Sequence, residues 1–227
     1  MNYLDEIELG QIKNSHWSFF GNFMQQTPRA VLSLNKLLNA VNFDTIIELG
    51  THDAGLSVLL ALYSLNSKIQ CRSDDANEPV LYKNKTHHKK QKTFYTFDNV
   101  IRDKGMTQLV ENMGAIFEKR DILNDEDSIS RIGEIIKNGG RTLLLCDNGN
   151  KVLEFNIYSK FLKSGDFIMA HDYGRDEQSF QIIKNKGIWF VHETRWTDLE
   201  ESCNKYNIKP VLPEEFDNSV WFCGEKQ

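Results

Sequence analysis

From Phe43 onward the chain repeats one pattern. A short β-branched or aliphatic run ends on a polar residue, and a stretch of helix length with an apolar face follows. "FDTIIELG" leads into "GLSVLLALYSLN", "KTFYTFDNV" into "IRDKGMTQLVENMG", and "AIFEKRDIL" into "DEDSISRIGEIIKNGG". "RTLLLCDNG" then precedes "KVLEFNIYSKFLKSG", and "DFIMAHDYG" precedes "DEQSFQIIKNKG". The short runs predict buried strands; the longer stretches, some opened by acids and closed by glycines, predict helices. Strands alternating with helices of this length predict βαβ units and an α/β fold with a doubly wound, mainly parallel sheet. Residues 1–42 form a lead-in in which Val31, Leu32, Leu34, Leu37 and Leu38 recur at helical spacing. In the tail, "IWFVHETRW", a short helix near "TDLEESCNKYN", and strands around "KPVLPEEF" and "SVWFCGE" predict a closing hairpin.

Composition narrows the function. With 227 residues, 40% of them hydrophobic, the chain can bury one substantial core, so one domain is expected over residues 1–227. A net charge of -5 argues against a dedicated duplex nucleic-acid binder, whose affinity comes largely from neutralising phosphates. The acidic start "MNYLDEIELG" lacks the order of a signal peptide and no apolar run approaches a membrane span, so a cytoplasmic protein without a membrane partner is expected. Cys71, Cys146, Cys203 and Cys223 lie far apart with no CxxC pair and read as reduced, buried thiols. The polar insertion 71–92, with Lys83, Lys85, Lys89, Lys90 and Lys92, reads as a solvated loop, or else as a lid or contact for an anionic substrate.

Ligands of open α/β sheets collect outside the carboxyl ends of the strands, near the point where the winding reverses. The residues ending the predicted strands are Glu48 before Gly50, then Asp98, Asp121, Asp147, and the pair His171 and Asp172. One aspartate at such a place is an ordinary turn former or helix cap. Five acid-ended strands on one rim point instead to chemistry. "ELGTHDAGLS" adds Gly50 and Gly55 at a strand-to-helix turn, where a missing Cβ lets the backbone approach a ligand. Asp98 is then placed as the acid that accepts hydrogen bonds from a ribose diol.

Residues 48–57, Asp98, "RDI" at 120–122, Asp147 and "FLKSGDFIMAHDY" together resemble the ordered motifs of class I S-adenosylmethionine-dependent methyltransferases, over about residues 43–175. Within them, "LKSGDFIMAHDYG" is similar to the cephalosporin hydroxylase-like and macrocin-type O-methyltransferases, several of which use magnesium. The resemblance implies a seven-stranded Rossmann-like sheet, S-adenosyl-L-methionine as cofactor, and a small-molecule or glycan acceptor. It implies that Gly50, Gly55 and Ser57 line the methionine end, that Glu48 orders the loop, that Asp98 holds the ribose, and that Asp121 and Ile122 meet the adenine. Asp53, in the glycine turn beside His52, reads as a helix cap. Asp147 and Asp172, with His171, are the residues it offers to Mg2+ or another divalent cation.

Two departures from the family pattern matter. His171 stands where an acid is usual, and a ring nitrogen is a poorer magnesium ligand than a carboxylate, which leaves open a softer ion such as manganese or iron, or a metal-free site. Asn150 stands where related sugar-modifying enzymes often carry a histidine, which leaves Lys151 or His171 to take the acceptor's proton. For Lys151 this requires burial and a nearby metal to pull its pKa down. Trp17, Phe19, Phe20, Phe23, Trp189, Trp196 and Trp221 read as core or homo-oligomer contacts, or as an acceptor-stacking wall. Two other functions stay open: a non-catalytic scaffold of the same fold, and a nicotinamide-dependent dehydrogenase.

Overall fold

A computed structural model of the protein describes residues 18–19, 22–24, 26–66, 92–102, 104–185 and 194–227. Helix α1 (Pro28–Ala40) comes first, then β1 (Thr45–Leu49), α2 (Gly55–Asn66), β2 (Thr93–Asp98) and α3 (Lys104–Asn112). β3 (Ile116–Lys119), α4 (Glu126–Asn138), β4 (Thr142–Cys146), α5 (Lys151–Tyr158) and β5 (Phe167–His171) continue the alternation. The chain closes through α6 (Glu177–Asn185), α7 (Trp196–Lys205), β6 (Ile208–Pro210), α8 (Pro213–Asp217) and β7 (Trp221–Lys226).

The seven strands lie in the order β6-β7-β5-β4-β1-β2-β3. β1 is parallel to β2 and β4, β2 to β3, and β4 to β5, whereas β7 runs antiparallel to both β5 and β6. From β1 the chain winds outward through β2 to β3, then returns past β1 to lay down β4 and β5 on the other side. The winding therefore reverses between β1 and β4, and the loops after those two strands face one crevice. β1, β4 and β5 are buried at every position, as expected of strands covered on both faces. Alternate side chains of these strands and of β7 feed two cores, one with Ile46, Leu143, Met169 and Trp221, the other with Ile47, Leu144, Ile168 and Phe222.

Several local features follow from residue chemistry. Thr27 caps α1 by accepting from the Ala30 N–H at 3.1 Å, with Pro28 at the first helical position. Leu34, Leu37 and Leu38 of α1 are buried, but Leu32 turns outward, 59% exposed. Thr27→Ala should cost about 1 kcal/mol of stability, measured by urea unfolding.

The tail departs from the expected pattern: the strand in "KPVLPEEF" stops at Pro210, and Pro213 opens α8 instead. Proline cannot donate to a ladder but suits the first turn of a helix. β6 and β7 still pair as the antiparallel hairpin, with α8 between them. Lys92 is not solvated: it is buried, its ammonium 2.6 Å from the Tyr63 hydroxyl and over that ring. The rest of the insertion, Cys71, the side chains of Trp17, Phe19, Phe20 and Phe23, and Trp189 with most of "IWFVHETRW" lie outside the described residues. Cys146, Cys203 and Cys223 are buried and free. Among the described residues, no helix is long and apolar enough to cross a membrane.

Candidate active site at the switch point

The two loops at the crevice touch through their backbones. Gly50 has φ +103°, and a Cβ there would lie 2.5 Å from the carbonyl oxygen of Asp147. The contact is held by Asp147 N–H donating to the Leu49 carbonyl at 2.9 Å and by Gly50 N–H donating to Phe97 at 2.8 Å. After Gly50 the chain enters the left-handed region twice more, at His52 (φ 47°) and Ala54 (φ 62°). Such residues are uncommon without glycine and persist only where the surroundings hold them.

Two acids hold this loop. Asp98 accepts from the His52 N–H at 2.9 Å and from the Val100 N–H at 3.0 Å. Glu48 is wholly buried and accepts hydroxyl bonds from Ser57 and Thr96, both at 2.5 Å. Burial outweighs these donors and pushes Glu48 up to about 8. Asp53 pairs with His52 Nδ1 at 3.0 Å.

On the other side, Asp147, His171, Asp172 and Lys151 form one cluster. His171 Nδ1 is 2.7 Å from Asp147 Oδ1 and 3.3 Å from Asp172 Oδ1. Lys151 Nζ is 2.6 Å from Asp172 Oδ2. Asp147 Oδ2 accepts from Gln26 Nε2 at 2.7 Å, and Gln26 Oε1 accepts from Trp221 Nε1 at 2.8 Å. The His171 ring lies against Trp221 with centroids 4.6 Å apart. Asp172 has φ 56°, a further left-handed residue without glycine. Asp172 Oδ1 is buried, makes no hydrogen bond, and has His171 Nδ1 beside it at 3.3 Å.

The loop between Asp147 and α5 is fixed by its own residues. Asn150, where a base was sought, is the N-cap of α5 and accepts from Leu153 N–H at 3.0 Å. Glu154 accepts the N–H groups of Asn148 and Asn150 at 3.2 Å each, and burial pushes it up to about 8.

Charge decides what the cluster can do. Burial pulls His171 down most, but Asp147 and Asp172 together outweigh it and hold the ring above its ordinary value. Burial likewise pulls Lys151 down, yet Asp172 and Asp147 outweigh it and the net shift is upward. The lowering that a Lys151 base requires is therefore not what the structure gives: its net shift is upward, and the ammonium is the stable form.

The other candidate residues lie in varied surroundings. Ser57 does not open onto the crevice; it is buried and its hydroxyl is given to Glu48. Ile122 is in the core, its carbonyl accepting from Tyr158. Asp121 is exposed and closes its own turn onto Leu123 and Asn124, which lowers its pKa. Trp221 is a core residue, the first of the two readings given for it, whereas Trp196 lines a cleft of about 310 Å³ with Tyr173, Arg175, Asp217 and Phe222. Gly55 opens α2. Gln26 gave no signal in the sequence, because a lone glutamine before a helix has no distinguishing pattern.

The donor set does not fit a divalent metal. Of the four carboxylate oxygens of Asp147 and Asp172, three already face nitrogen donors at 2.7 Å or less, and the fourth faces His171. Magnesium needs several free oxygen ligands in an octahedron. Among the described residues, no group of three or more His, Cys, Asp and Glu side chains is arranged to hold a metal ion.

No family model and no curated protein matches the chain by sequence. By fold it is similar to an apo structure of CmcI, at 12% identity and TM-score 0.56, covering 92% of this chain and 76% of that one. A structure of CmcI with Mg and SAM aligns at 11% identity and TM-score 0.54, over 91% and 76% of the two chains.

Proposed function

We propose that this protein is an S-adenosylmethionine-dependent O-methyltransferase acting on a hydroxyl of a small molecule or glycan. The observation that carries the reading is the meeting, at one switch point, of a left-handed loop tied down by Asp98 with the Asp147, His171 and Asp172 cluster. Its fold, shared with CmcI, supports the same reading. The backbone at Gly50 and the carboxylate of Asp98 suit the cofactor, because two backbone donors orient that carboxylate and leave lone pairs for ribose hydroxyls. S-adenosylmethionine bound there supplies a methyl group on a positively charged sulfur, which an oxygen nucleophile displaces directly.

The chain's own residues align the acceptor and move its proton. Asp172 Oδ1, which has only His171 Nδ1 beside it at 3.3 Å and makes no hydrogen bond, is the oxygen we assign to the acceptor hydroxyl. His171, with its Nδ1–H given to Asp147, carries its lone pair on Nε2 and takes the hydroxyl proton there. Asp147, held in turn by Gln26 and through it by Trp221, fixes that tautomer and stabilises the imidazolium that forms.

Calorimetry with S-adenosylmethionine and S-adenosylhomocysteine tests the reading. One molecule should bind per chain, and Asp98→Ala should weaken binding by about tenfold or more, near 1.4 kcal/mol. Absence of heat with both compounds would refute it.

A further inference from the structure

Lys151 is the first residue of α5, where the helix dipole disfavours a positive charge, and its side chain is only 11% exposed. Local structure and burial both act against a cation here. What holds it is Asp172 Oδ2 at 2.6 Å, with the second carboxylate, Asp147, linked to the same cluster through His171. Two carboxylates, Asp172 buried and Asp147 half-buried, brought this close to one imidazole repel each other unless a positive charge compensates them.

We propose that the Lys151 ammonium is the built-in cation of this site, occupying the role a divalent metal would have between Asp147 and Asp172, so that the protein works without one. Asp172 Oδ2 is committed to the ammonium, and both oxygens of Asp147 are committed to His171 and Gln26. A metal entering beside them would meet a fixed positive charge. Lys151 is thus a positioning residue: it holds the Asp172 carboxylate by Oδ2, in a left-handed residue, with Oδ1 beside His171. Removing the ammonium frees Asp172 Oδ2 and takes away the fixed positive charge, so that a divalent cation can take its place. Only the consequence for turnover rests on the methyltransferase reading; the cation assignment itself does not.

The test is a titration of the full-length protein with MnCl2, followed by electron paramagnetic resonance, alongside thermal melts in EDTA, MgCl2 and MnCl2. The parent should bind no stoichiometric manganese and melt at the same temperature in all three. Lys151→Met should melt lower in EDTA, recover in MnCl2, and bind one manganese at least about tenfold more tightly than the parent, the scale of removing one adjacent charge. Asp172→Asn added to it should abolish that binding. Lys151→Arg, which keeps the charge, should behave as the parent does.

Stoichiometric manganese on the parent overturns the proposal, and so does a Lys151→Met chain that binds none or stays unfolded in MnCl2. Because no cofactor or acceptor enters these titrations, the outcome is separate from S-adenosylhomocysteine binding by the parent. Failure of that binding sinks the methyltransferase reading and leaves the cation assignment standing.

Discussion

His171→Asn should lower methyl transfer by about 10²- to 10⁴-fold, the usual contribution of a positioned base, while S-adenosylhomocysteine still binds. The parent's rate should rise with pH through the His171 pKa, which the carboxylates of Asp147 and Asp172 hold above 6.5 against burial and Lys151. The variant should lose that limb. Stability should move the other way. A histidine whose pKa is raised on folding contributes stability that is fully present below its unfolded value near 6.5 and is lost as pH rises through the folded value. Glu48 and Glu154, both pushed up by burial to about 8 from 4.5, also make the chain less stable as pH climbs across that interval. The His171 share is therefore the difference between parent and His171→Asn in urea unfolding at a series of pH values. A variant with unchanged turnover and an unchanged pH profile would remove His171 from the chemistry.

Gly50→Ala should be strongly damaging. Its Cβ would lie 2.5 Å from the Asp147 carbonyl oxygen and 2.8 Å from Asn148 Cα, both backbone atoms, at φ +103°. Neither neighbour is a flexible side chain, so the two loops must separate. The expected cost is about 2–4 kcal/mol, a melting temperature lower by about 4–16 °C, with cofactor binding weakened because the switch-point crevice is rebuilt. Gly149→Ala is the control: a Cβ there meets nothing within 4 Å, and stability should change by less than about 0.5 kcal/mol. Equal melting of Gly50→Ala and the parent would show that the loops do not touch as described.

The rim of the sheet was legible because its signal is local. An apolar run that stops at Asp98, Asp147 or His171 marks the end of a buried strand, and parallel strands put such ends on one side. Helices were also legible, from the helical spacing of Leu34, Leu37 and Leu38 in α1 and from the acids that open α4. Side-chain direction was not. Ser57 and Ile122 sit in motif positions yet face inward, because Glu48 needs a buried hydroxyl donor and the second core needs an aliphatic side chain.

By itself, then, the sequence determined the α/β class, the strand-ending acids and the glycine turn, all consequences of periodicity and backbone preference within short windows. Only the tertiary structure decided that Lys151 is an ion-pair partner rather than a base, and that Gln26 reaches Asp147 across 121 positions of chain. The reason is physical: the protonation state of a buried group is set by charges a few ångströms away. Those charges arrive from separate strands and helices, and no window of sequence contains them together.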